Sequence, residues 1–549
     1  MQGSIGFSCH FINMSFYRAI ATVGGFTLAS RLMGFAREVL TASFLGAGPV
    51  ADAFFIALKL PNFFRRITAE GAFSVSFVPM FSKILEGEGK DEAKKFAEEA
   101  QAVMLAVLVP FTMICMMAMP WVLYVIAPGV HCAAGDTQCN PLRYDLAVSF
   151  TRITFPYILM MSLTALLGGV LNSFGKFAAF ASAPMFFNGV LITALLFGSR
   201  LFQTSGYALA WGLAAAGIVQ FLWMLYNYKM IGYVLMPRRP VLTPRIRKLF
   251  NLMIPGALGA GAAQINLFVD MILASLLPVG SISFLYYADR LYQLPLGVIG
   301  VAIGTALLPM LSKALKTEEK GEVVKLIGLG FETGLMLSLP AAIGLTVIAG
   351  VIMSVLFEHG QFTHEDSIQS SHALTAYAIG LPAYVLSRVF STAYFAREDT
   401  KTPVKFAVTC AIINTVLALL LITPLKHVGI ALATGITAWI NLALLMRGLH
   451  KKKHLDLPLH SVKRSGLILV SGLIMAGVLW YLNSYVLDTL SGRLWHKALD
   501  LTVLVGAGGA SYFACLYAFG IFNKQSVKAL FPKRKKQDTI ETVERIEGQ

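Results

Sequence analysis

Apolar runs of about 18 residues or more recur from one end of the chain to the other, at 102–126, 330–357 and 466–485 among others, and each is long enough to cross a hydrocarbon core about 30 Å thick. Lipid offers no hydrogen bonds, so the backbone of such runs has to satisfy itself, and repeated long apolar runs are therefore helices. The 549 residues are 56% hydrophobic and only 13% charged, too little polar surface to coat a soluble fold of this size. The expected fold class is an all-α polytopic membrane protein of about fourteen transmembrane helices between residues 17 and 521. No cleavable signal is read at the start: residues 1–13 carry no Lys or Arg, and Met14 opens a more ordinary membrane-protein beginning.

A net charge of +16 is the mark of many nucleic-acid-binding proteins, but here its placement argues otherwise. Of the 45 Lys and Arg, about 32 fall on one side of the fourteen-span arrangement, about 5 on the other and about 8 inside spans. The basic segments 229–248, 447–464 and 524–536 then lie in the cytoplasm with both termini, as expected of a multi-pass protein of the bacterial inner membrane. No nucleic-acid partner is needed to explain the charge. Six cysteines are too few for a disulfide framework. Cys132 and Cys139 share the one sizeable outer loop, where a bridge can persist, with a metal site involving His131 and Asp136 as the alternative.

The chain also repeats itself. VPMFSKIL from Val78 returns as LPMLSKAL from Leu308, an offset of 230 residues, and GYALAWG from Gly206 returns as GIALATG from Gly429. Two lobes of six spans follow, expected at 15–230 and 245–450, with two extra C-terminal helices at 464–522 and a basic tail at 523–549. Because six is even, the lobes enter the membrane in the same sense and form parallel repeats, an arrangement suited to enclosing a cleft and rocking about it. Pro61, Pro79, Pro295 and Pro309, with the glycine-rich stretches 256–261 and 297–304, loosen the helices at matched places in the lobes.

Charged side chains inside spans need a reason, because Arg or Lys at the bilayer centre costs about 2.5–3.5 kcal/mol on insertion scales. Ser30, Arg31 and Arg37 lie in the first span; Asp52, Lys59, Arg65, Arg66 and Glu70 in the second; Ser283, Asp289 and Arg290 in the eighth. Arg66, Arg152 and Arg388 read as paired or interfacial cations. Arg31, Arg37, Arg65 and Arg290 read as a site for a multiply charged anion, since a planar guanidinium bonds two phosphate oxygens at once. Asp270, with Asn414 and Thr434 in later spans, is a candidate cation site. The histidine and carboxylate cluster at 358–366 reads as a solvated outer loop rather than a metal site. The glycine run 256–261 has no following Lys-Ser/Thr, and no metalloprotease or nucleophile-elbow motif occurs, so the chain is read as a transporter and not an enzyme.

Several of these residues sit in longer ordered motifs: SRLMGFAR from Ser30, ADAFF from Ala51, KLPN from Lys59, RRITAEGAF from Arg65, YYADR from Tyr286, LPMLS from Leu308 and KTPVK from Lys401. Together they closely resemble the MurJ (MviN) lipid II flippases, over nearly the whole chain from Met14 to about residue 523. The resemblance implies membership of the multidrug/oligosaccharidyl-lipid/polysaccharide (MOP) exporter superfamily, a cationic V-shaped cavity, and an undecaprenyl-diphosphate cargo carrying the peptidoglycan precursor. Matched motif by motif, it assigns cargo binding to Arg31, Arg37, Arg65 and Arg290, with Ser30, Asp52, Lys59, Glu70, Ser283 and Asp289 in support. It also implies a lipid-tail groove on the last two helices and, as in some members, a sodium site in the second lobe, although Ala418 stands where a second carboxylate is expected. No cofactor is expected. The coupling left open is a monovalent cation or the membrane potential, and the partners implied are lipid II, membrane lipids and the cell-wall synthesis machinery. The alternatives are another MOP-type exporter, either a polysaccharide-lipid flippase or a drug/cation antiporter; an antiporter should have carboxylates and aromatics dominating its cleft, where here cations dominate.

Overall fold

The computed structural model describes residues 5–66, 73–131, 141–234, 236, 238–317, 320–455, 459–487 and 494–521. All regular structure among them is helical, as the apolar runs demand. Ten helices among the described residues are long and apolar enough to cross a membrane, and shorter apolar helices add to them. Glu70, Cys132 and Cys139 lie outside the described residues.

The chain divides into two compact units that each draw on several stretches of sequence. The first comprises Met1–Leu291, Met353–Tyr377 and Val404–Thr437. It opens with α1 (Ile5–Leu45), followed across a tight turn by α2 (Pro49–Arg65) and then α3 (Ser74–Gly87). The turn is made by Gly46 at φ +63°, where an added Cβ would lie 2.4 Å from the Gln361 carbonyl oxygen, so only glycine fits there. Pro49 then starts α2, its fixed φ and missing N–H suiting the first helical turn. The unit continues through α4 (Lys90–Met117), α5 (Met119–Ile126), α6 (Pro141–Thr154), α7 (Tyr157–Ser173), α8 (Phe177–Thr193), α9 (Ser205–Met230), α10 (Pro244–Ser275) and most of α11 (Ser281–Pro295). α1 packs on α8, α8 on α9, and α2 on α6.

In this unit the rings of Phe73, Phe81 and Phe96 each stack on Phe77, and Tyr228, Ile246 and Leu249 belong to the same buried cluster. The segment leading to α10 is strapped to the start of α4: Arg245 bonds Glu92 at 2.9 Å and Glu88 at 2.7 Å, and Arg238 reaches the buried Glu98 at 2.5 Å. These pairs raise the affinity of Arg238 and Arg245 for their protons.

The second unit comprises Tyr292–Ile352, Ala378–Pro403 and Ala438–Gln549. The chain enters it at the end of α11, where Pro295 is followed by a π-helical turn, Leu296–Gly300; the expected break at 297–304 is this turn, and the chain runs on as α12 (Val301–Lys316). α13 (Lys320–Val347) lies in this unit, whereas α14 (Ala349–Phe357) passes out of it after Ile352 and α15 (His364–Ile379) belongs to the first unit as far as Tyr377. α16 (Leu381–Phe395) follows and packs on α12 and α13. α17 (Lys401–Lys451) is two helices joined at Lys426, whose φ 50°, ψ −130° follows Pro424. The last two helices, α18 (Leu459–Leu487) and α19 (Leu494–Ala518), pack on each other and on α13. An ion pair of Arg464 with Glu332 and a hydrogen bond from Tyr512 to the Met336 carbonyl fix them there.

Candidate functional site

Two buried carboxylates organise the first unit, and each gathers side chains from helices far apart in sequence. Arg37 lies eight residues before the end of α1 and Arg290 nine residues into α11, so each sits about 12–14 Å along its helix from that end. Glu38, 5% exposed, joins them. Arg37 donates to its carboxylate, the Arg290 Nε lies 3.7 Å from the same oxygen, and Tyr286 donates to it at 3.2 Å. The Arg290 guanidinium also lies over the Tyr286 ring at 4.6 Å, and that ring stacks on Phe55 of α2.

Arg37 is held from its other side by Asn188 of α8, whose carbonyl accepts from it at 2.9 Å while its amide donates to the Ser30 carbonyl at 3.0 Å. Gly34, between Arg31 and Arg37, faces the same amide: a Cβ there would stand 3.4 Å from it, in van der Waals contact. The result is two guanidiniums facing one carboxylate in an apolar frame, a surplus of positive charge with directed donors.

Asp52 organises the second cluster. It is fully buried and accepts from the Gly280 N–H at 2.8 Å, the Ser283 N–H at 2.9 Å and the Ser283 hydroxyl at 2.6 Å. Arg143 of α6, 3% exposed, completes it with an ion pair at 3.0 Å. Around this cluster the Tyr287 hydroxyl donates to the Gly46 carbonyl, and the Gln361 N–H to the Ser43 carbonyl. Asp52 and Ser283 are thus turned on each other, with no face left for a ligand in this arrangement.

The remaining predicted residues are spread more widely. Arg65 takes a hydrogen bond to Asn62 at 3.2 Å near the end of α2, and Arg31 is exposed on α1. Lys59 is half-buried, within electrostatic range of Asp289 and Asp270. Asn414 donates to Asp270 at 3.2 Å while its own carbonyl oxygen is buried without a partner; the Thr434 hydroxyl donates to the Ile430 carbonyl of its own helix. A carboxylate beside an orphaned amide oxygen is oxygen chemistry that suits a hard cation. Of the cations read as structural, Arg152 bonds the Met116 carbonyl and Arg66 reaches Gln264.

Glu38, Asn188 and Arg143 were not among the residues singled out from sequence as site members. A single Asn in an apolar span is a usable signal, since a lone amide there seeks a partner. Arg143, two residues into α6, carries no such mark.

The lipid II flippase MurJ family model matches residues 41–495. This chain belongs to the lipid II flippase MurJ family. A Rhizobium meliloti protein named "Probable lipid II flippase MurJ" is 41% identical over 513 residues, covering 92% of this chain and 94% of the relative. A Vibrio cholerae protein of the same name is 35% identical over 500 residues, covering 91% and 95%. Among solved structures, a lipid II flippase MurJ in an inward closed conformation superposes with a TM-score of 0.75 at 25% identity, covering 90% of this chain and 98% of that one. An inward-facing multidrug resistance MATE family transporter of the MOP superfamily reaches a TM-score of 0.65 at 13% identity, covering 77% and 94%, and so shares the fold.

Proposed function

We propose that this chain moves lipid II, an undecaprenyl-diphosphate-linked peptidoglycan precursor, from the inner to the outer leaflet of the cytoplasmic membrane by alternating access, without catalysing a reaction. Membership of the MurJ family supports the cargo. The observation that carries the mechanism is the Arg37–Glu38–Arg290 cluster, whose excess of guanidinium over carboxylate suits a diphosphate. Arg31 and Arg65 extend the positive lining along α1 and α2, and Lys59 and Asp289 support it.

In this reading the prenyl tail stays in lipid, α18 and α19 offer it a groove, and the diphosphate exchanges one arginine contact with Glu38 for its own. Opening to the outside has to break the Asp52 cluster, because Asp52 and Ser283 belong to different sequence repeats. The apolar runs support fourteen crossings, the duplication supports lobes at 15–230 and 245–450, and the charge asymmetry supports cytoplasmic termini. Two negative charges moving outward through a potential negative inside gain up to about 4.6 kcal/mol per 100 mV. Return of the empty cationic site is compensated by a cation at Asp270 and Asn414, with Thr434 offering lone pairs, or by counter-ions.

The test uses a bacterial strain whose own flippase is depleted, with inner-leaflet precursor as the readout. The native chain should clear it and Arg290→Ala should not. Precursor left on the inner leaflet by a well-inserted native chain would sink the lipid II reading.

A further inference from the structure

An apolar cavity of about 770 Å³ opens between α1, α8 and α9. Its wall includes Phe26, Met33, Phe186, Phe197, Trp211 and Ala215. The few polar groups in it are already engaged: Ser182 donates to the Ala179 carbonyl, Thr193 to the Gly189 carbonyl, and the Trp223 indole to Ala179 and Ser182. The wall therefore offers a polar ligand nothing, and its volume is that of a pocket for a molecule of moderate size. α8 and α9 are membrane spans by length and composition, and α1 packs on α8, so the medium at the cavity's mouth is hydrocarbon.

One end of the cavity has a different chemistry. α8 ends in a π-helical turn, Ala194–Gly198, which carries the exposed Phe197; Arg200 follows two residues beyond, exposed and with no hydrogen bond or ion pair among the described residues. Phe202 and Trp211, both exposed, stand beside it in the manner of an interfacial aromatic belt. An apolar slot lined by Gly198 and Phe202, the residues two before and two after the unengaged Arg200, matches one kind of molecule: an acyl chain in the slot and a phosphate beside it.

We propose that this cavity seats one acyl chain of an anionic phospholipid, with its phosphate on Arg200. Given the orientation argued above, the lipid belongs to the outer leaflet. Its occupancy bears on transport, because Met33 lies on α1 between Arg31 and Arg37, and α8 carries the Asn188 that orients Arg37. Phe26, Met33 and Arg37 fall on one face of α1, so a seated chain lies one helical turn along that face from the Arg37 end of the cationic site.

The full-length protein in mild detergent is examined by native mass spectrometry with added phosphatidylglycerol, phosphatidylcholine of the same chains, and undecaprenyl phosphate. One phosphatidylglycerol should be retained. Ala215→Phe, an exposed wall position, should cut its retention about tenfold by filling the slot. Arg200→Gln should lower retention of phosphatidylglycerol about fivefold while leaving phosphatidylcholine unchanged. Quenching of Trp211 fluorescence by bromine-labelled chains, lost in Ala215→Phe, locates the chain independently of folding yield. Retention indifferent to both substitutions overturns the proposal, and so does stronger retention of undecaprenyl phosphate. Arg290→Ala should keep the adduct, so failure here and failure of the flippase reading are separable.

Discussion

Asp52 and Glu38 are built from the same parts, a buried carboxylate and arginine, yet they differ in stoichiometry. Asp52 meets one arginine and three further donors, so its charge is balanced and its carboxylate is fully engaged. Glu38 meets two arginines, and the Arg290 side chain is 37% exposed. A balanced, dry cluster resists change, because each member removed strands another. An unbalanced and partly exposed one keeps capacity for an incoming anion. Within one unit, the first is suited to holding a closure and the second to binding.

The largest effect should come from upsetting the balanced cluster. Asp52→Ala leaves Arg143 charged, buried and unpaired, and should cost about 3–5 kcal/mol of folding stability, read as a fall in the midpoint of thermal unfolding in detergent. Asp52→Asn keeps the shape but turns an amide N–H towards donors. If Asp52→Ala unfolds like the native chain, the Asp52 cluster is not a closed structure and the contrast with Glu38 collapses.

The unbalanced cluster should respond in the opposite way. Glu38→Gln removes the anion's internal competitor, so a diphosphate analogue should bind about tenfold more tightly, a change of about 1.4 kcal/mol. Flipping should nevertheless slow, because release now lacks the carboxylate that reclaims the arginines. Equilibrium binding and vesicle transport measured on the same preparation separate the two effects; weaker binding would show that Glu38 orients the arginines and does nothing else.

Much of this contrast was legible in the sequence, and the limit has a physical origin. Arg37, Arg290 and Asp52 announced themselves because charge inside an apolar run is costly enough to demand a partner. Which partner each chose depends on helix packing across more than a hundred residues, as with Arg37 and Asn188 or Asp52 and Arg143. The duplication predicted two lobes, whereas the compact units follow contact and interleave the chain: residues 404–437 cluster with α1 and α2 and not with 438–451, although all lie in α17. The break at Lys426, by contrast, falls where the apolar runs 404–423 and 428–446 are read as separate spans, at the interruption that holds Pro424.

A smaller effect is expected at the turn beside the balanced cluster. Gly46→Ala has to place a methyl 2.4 Å from the Gln361 carbonyl oxygen at φ +63°. The turn must shift, at a cost of about 1–3 kcal/mol, and the Tyr287 hydrogen bond to the Gly46 carbonyl goes with it. Thermal unfolding and the rate of transport should both change, since that turn adjoins the closure. Unchanged stability would mean the backbone there is soft, and the closure would then rest on Asp52 alone.

The smallest effect belongs to a carboxylate outside both clusters, Asp399, which serves as the half-buried reference. Asp399 accepts from Lys452 at 2.6 Å and from the Thr402 N–H and hydroxyl at the start of α17. The bond from Lys452, helped by Thr402, depresses its pKa to about 2. Since the unfolded value is near 3.9, the contribution is present in full above that pH and is lost as pH falls through about 2. Solvent screens the pair, with the Lys452 side chain 45% exposed, so Asp399→Asn should cost less than about 1 kcal/mol at neutral pH. The gap between native and variant stability should narrow between pH 4 and pH 2. A loss as large as that of Asp52→Ala would show that burial is not what separates the strong carboxylate from the weak one.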